Sequence, residues 1–107
     1  MPFKVLLIDD AARDLESLYS YIDLRDGLAK ADYVLGKIEK ALASLADSPG
    51  RGAYPKELLA LGIREFREIY FKPYRIIYKV LPKKAYVLLI ADGRRDMQTL
   101  LEMLLLA

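Results

Sequence analysis

Residues 63–96 read IREFREIYFKPYRIIYKVLPKKAYVLLIADGRRD. Three apolar runs rich in Ile, Val, Tyr and Phe are separated by two short polar joints, Lys72-Pro73 and Pro82-Lys83-Lys84, the pattern of a three-stranded meander. Side chains alternate across a strand, so Tyr74, Ile76, Tyr78 and Val80 share one face while Arg75, Ile77, Lys79 and Leu81 share the other. The first face reads as core. The second sets two cations around a single Ile, and the third run ends in Gly93-Arg94-Arg95-Asp96, which delivers two more arginines at a strand end. The cationic face is the candidate functional surface. Arg75, Arg94 and Arg95 are expected to converge there on one solvent-facing hollow.

Upstream, Phe3–Ile8 is a near-continuous apolar run and predicts a strand buried on both faces, hence inside the sheet. Asp9 or Asp10 is expected to cap the helix that follows. In that helix Leu15, Leu18, Tyr19 and Ile22 form one apolar stripe, and Asp26-Gly27 ends it. A second helix is predicted from about Leu28 to Asp47, with Ala31, Leu35, Ile38, Leu42 and Leu45 as its stripe. The connection is short, so the two should pair as an antiparallel hairpin on one face of the sheet. Residues 48–55, SPGRGAYP, read as a loop, and Lys56–Leu59 adds a helical turn before Gly62. Met97–Ala107 predicts a final helix, apolar on nearly every side, that must pack on its own sheet or be covered by another chain. The expected class is α+β in the order β-α-α-β-β-β-α. It is a small, twisted, mainly antiparallel sheet, and residues 1–107 form one domain.

Composition narrows the chemistry. With no cysteine and no histidine among 107 residues, disulfides, the usual metal ligands and the usual general base are missing; neither a metal site nor a cofactor is expected. Net charge is +2, but residues 1–53 carry 7 Lys/Arg against 9 Asp/Glu, and residues 54–107 carry 10 against 6. That polarity points the second half toward an acidic partner or a phosphate backbone. The amino end lacks a signal-peptide pattern, and no window approaches the ~18 uninterrupted apolar residues of a membrane span. A cytoplasmic location without a membrane partner is expected.

No P-loop, dinucleotide fingerprint, nucleophile elbow or HExxH occurs. What remains is the cationic set. Arg75, Arg94 and Arg95 are the candidate catalytic residues, because a guanidinium fork holds a phosphate in two hydrogen bonds and neutralises charge developing on it. Lys56, Arg67 and Lys79 are the candidate substrate-binding residues. RNA carries its own 2′-hydroxyl nucleophile, so such a site could cut it without metal. A proton carrier would have to be Lys56, Lys79 or one of Tyr70, Tyr74 and Tyr78 with a shifted pKa. The competing reading is structural: Arg75 and Lys79 cover a sheet face with their stems, Arg94 and Arg95 pair with Asp92 and Asp96, and Tyr74 and Tyr78 are core.

The loop SPGRGAYPKEL, the phrase IREFREIYFKPYRIIYKV and the strand end VLLIADGRRDM resemble, in this order, the RelE/ParE superfamily of bacterial toxins. The resemblance implies the toxin of a type II toxin–antitoxin pair, neutralised in a hetero-oligomer by a cognate antitoxin that presents an amphipathic, acidic segment. In its RNA-cleaving members, which cut mRNA on the ribosome, a strand arginine matches Arg75, and a second arginine matches Arg94 or Arg95. A basic loop residue corresponds loosely to Lys56. Those nucleases usually carry a Tyr or His where this chain has Met97-Gln98-Thr99-Leu100. The ParE branch blocks DNA gyrase and cleaves nothing. The retained arginines put the ribosome-dependent mRNA endonuclease first, with the gyrase inhibitor, favoured by the missing proton carrier, as the alternative. A non-toxic interaction module is the third reading.

Overall fold

Ile8 joins the first strand to the first helix without a break. Its N–H closes the ladder on Val87, and its carbonyl accepts the N–H of Ala12 to open the helix. The computed structural model describes residues 2–106. In chain order they form β1 (Lys4–Leu7), α1 (Asp9–Asp26), α2 (Leu28–Ala43), α3 (Lys56–Leu59), β2 (Arg67–Phe71), β3 (Tyr74–Leu81), β4 (Lys84–Asp92) and α4 (Met97–Leu106). The α+β class and the element order are as expected. Since Ile8 is itself the N-cap and no side chain caps the helix, the expected Asp9 or Asp10 cap is not formed. Both carboxylates lie in the first turn instead, where they offset the helix dipole.

The sheet order is β1-β4-β3-β2. β2–β3 and β3–β4 are antiparallel and β1–β4 is parallel. β1 is therefore an edge strand, which corrects the interior position expected for Phe3–Ile8. Its apolar run has another cause: Val5, Leu7 and Ile8 pack under the hairpin, and the Phe3 N–H is taken by the Ala46 carbonyl, which covers the outer edge. A one-residue bulge in β4 pairs Ile77 with Leu89 but Tyr78 with Val87. The slip resets the alternation, so Ala85, Val87 and Ile90 all join the core under α1 and α2, while Leu89 and Ala91 join the opposite face.

Each face has its own core. Ala11, Ile22, Ala31, Val34, Ile38, Leu42 and Leu45 from the hairpin side close over Ile69, Ile76 and Tyr78. On the other face Leu58, Phe66, Met97 and Leu101 close over Ile77, Leu89 and Ala91. α4 thus packs on its own sheet through one stripe, Met97, Leu100, Leu101 and Leu104. Met103, Leu105 and Leu106 remain exposed.

Tyr78 pins the loop between α2 and α3. Its ring is fully buried; its hydroxyl donates to the Pro49 carbonyl at 2.7 Å and accepts the Gly52 N–H at 3.0 Å. A Cβ on Gly52 would stand 2.6 Å from both that hydroxyl and the Glu68 carbonyl, so only glycine fits. Replacing Tyr78 by Phe leaves both loop groups without their partner and should cost about 1–3 kcal/mol. Gly52→Ala should cost at least as much, and chemical denaturation of the two variants measures both.

Candidate functional site

Arg75 lies on the face away from the hairpin, under α3, with its side chain only 8% exposed. The two-residue turn Lys72-Pro73 sets Tyr70 opposite Arg75, and Glu68 follows two residues away on the same face of β2. α3 brings Glu57 over the top. The guanidinium donates to both Glu57 oxygens at 2.7 and 2.8 Å and, through Nε, to Glu68 at 2.7 Å. The Tyr70 hydroxyl donates to the second Glu68 oxygen at 2.8 Å. Arg75 holds the Glu57 carboxyl below the usual glutamate range, and the same bond, with Glu68, pushes the arginine further up. The stem of Arg75 passes so close to Gly93 that a Cβ there would be 2.9 Å from its Cδ.

The strand-end corner turns the other way. Arg94 is held by Asp92, which accepts its backbone N–H, its Nε–H and, at 2.6 Å, its terminal nitrogen. The bond from Arg94 keeps the Asp92 carboxyl below its ordinary range. Asp96 caps α4 through Thr99 rather than pairing with an arginine. Both Arg94 and Arg95 line a cleft together with Tyr21 and Arg25 of α1 and Lys30 of α2. The expected convergence of Arg75, Arg94 and Arg95 on one hollow is therefore not formed. Residue 75 of β3 and the cleft-lining side chains after β4 serve opposite faces of the sheet.

The remaining candidates are also dispersed. Lys56 is exposed at the start of α3. Arg67 donates to the Gly52 carbonyl and stacks on Tyr54 at 4.7 Å, which ties the loop to β2. Lys79 lies 3.8 Å from Glu65 on the α4 face. The tyrosines considered as proton carriers, Tyr70, Tyr74 and Tyr78, all have pKa values raised by burial. Among the described residues no group of His, Cys, Asp or Glu side chains is placed to hold a metal ion. Neither Glu57 nor Glu68 stands out in the sequence as a partner of Arg75. The two-residue turn does place Glu68 near Arg75 by register; nothing in the sequence places Glu57.

A family model described as the ParE toxin of the type II toxin–antitoxin system parDE matches residues 5–97. Among solved structures, a chain of the chromosomal ParDE system of P. aeruginosa is similar over 84% of this chain and 95% of its own length. Its TM-score is 0.71, at 22% identity. A chain of the toxin–antitoxin complex RelBE2 of Mycobacterium tuberculosis covers 86% of this chain and 92% of its own, with a TM-score of 0.57 at 21% identity. At such identities the likeness is one of fold. No curated protein matches the sequence.

The buried triad makes two predictions. Arg75→Ala strands two carboxylates beneath α3 and should cost about 3–5 kcal/mol in denaturant titrations. Glu57→Gln should cost less, about 1.5–3 kcal/mol near neutral pH. Because the folded pKa of Glu57 is lowered, its contribution is complete above the ordinary value of 4.5. It disappears as pH falls through the lower folded value. The stability gap between the parent and Glu57→Gln should therefore hold on acidification and narrow only below that ordinary value.

Proposed function

We propose that this chain, which belongs to the ParE toxin family of type II toxin–antitoxin systems, arrests growth by binding DNA gyrase rather than by cutting RNA. One observation carries the reading: Arg75 is engaged by two carboxylates under α3 and does not face Arg94 and Arg95. RNA cleavage needs cations gathered on one phosphate and a group that moves a proton near neutral pH. Phosphate binding at Arg75 would have to break its bonds to Glu57 and Glu68, and tyrosines with raised pKa values are poor proton carriers near neutral pH. Inhibition by binding requires neither feature.

The cognate antitoxin fits the same reading. Exposed Met103, Leu105 and Leu106 of α4 and exposed Leu59 and Leu61 at the end of α3 leave apolar surface for an amphipathic segment. The excess of basic over acidic residues in 54–107 suits an acidic one.

Induction without antitoxin should arrest growth and trigger DNA-damage signalling while translated mRNA stays intact. The purified chain should block supercoiling by purified gyrase. Unaffected supercoiling together with cleaved mRNA would overturn this reading and restore the endonuclease.

A further inference from the structure

On the hairpin side of the sheet, a cleft of about 620 Å³ opens between α1, α2, the β2–β3 turn and the corner after β4. Its volume falls within the ~300–1,000 Å³ of small-ligand pockets. Five cations line it, Arg25, Lys30, Lys72, Arg94 and Arg95, against the carboxylates Asp14, Asp26 and Asp92. Two of those carboxylates are already engaged: Asp92 grips Arg94, and Asp14 accepts the Ile90 N–H. Among the described residues, Lys30, Lys72 and Arg95 have no ion-pair partner. An anion placed among these unpaired cations offsets their like charge.

Beside the cations stand aromatic rings. Tyr33 meets Phe71 edge to face at 6.2 Å, and Phe71 lies nearly parallel to Tyr74 at 6.4 Å. All three line the cleft. Tyr33 remains 55% exposed, so ring surface is open to a ligand. Guanidinium and ammonium groups beside stacked rings are the combination that binds a phosphate and a flat base together.

We infer that this cleft binds a nucleoside phosphate, with the phosphate on the unpaired cations and the base against the Tyr33–Phe71–Tyr74 wall. The inference goes beyond the toxin reading and does not depend on its target. AMP, inorganic phosphate, a 5′-phosphorylated single-stranded DNA tetramer and an oligoglutamate peptide are titrated into the purified full-length chain, followed by amide NMR shifts. AMP should saturate, move the Gly93 and Lys72 amides, and bind roughly tenfold more tightly than phosphate, since the wall adds a stacking contribution. Lys30→Glu with Lys72→Glu, both on exposed side chains, should weaken AMP roughly tenfold or more, whereas Lys40→Glu should not. A tetramer that outbinds AMP identifies a strand end as the source, and equal binding identifies the free nucleotide; both support the inference. Equal affinity for AMP and phosphate, tighter binding of oligoglutamate, or no saturation by AMP would overturn it.

Discussion

The fold turns on a guanidinium buried between two carboxylates. Glu57, Arg75 and Glu68 come from a helical turn and two neighbouring strands, so their bonds join three separate pieces of chain. A charge that far from water is tolerable only when its hydrogen bonds are filled; here both glutamates accept from the guanidinium, and Tyr70 donates to the other oxygen of Glu68. The arrangement fixes what can lie nearby. α3 must sit above Arg75, and residue 93 must lack a side chain for the arginine stem to pass.

Around this bridge the sheet is divided by role. The α3–α4 face keeps its arginine for structure and leaves apolar surface at the end of α4. The hairpin face is sealed at its centre by Tyr78 and by the aliphatic stripes of α1 and α2. It opens at the end where the β2–β3 turn and the β4–α4 corner meet the helices. Exposed cations concentrate at that end, and they come from four different segments, which is why no short motif announces them.

The strand and helix periodicities in the sequence locate the main elements, although the second helix ends at Ala43 and residues 44–47, expected to continue it to Asp47, form turns. The alternation in YRIIYKV also separates Tyr78 from Arg75 correctly. The sequence is less informative where one pattern has two causes. An apolar run such as Phe3–Ile8 reads the same whether it lies inside a sheet or at an edge that helix and loop cover. Alternation places Arg75 opposite the hairpin but does not say whether water or α3 lies above it, because Glu57 arrives from a loop of unspecified path. The direction of Arg94 and Arg95 depends on the turn after Asp92, where an Asx bond to the Arg94 N–H sets the corner. Period-2 reasoning stops at the last residue of the strand.

The parallel pairing of residues 4–7 with residues 84–87 also has a kinetic side. β1 lacks its parallel partner until β4 has left the exit tunnel, so every residue between them must be synthesised before the two can pair. Contacts of such long sequence separation form late and slowly. Until then the apolar side chains of Val5, Leu6 and Leu7 wait without the strand they pair with.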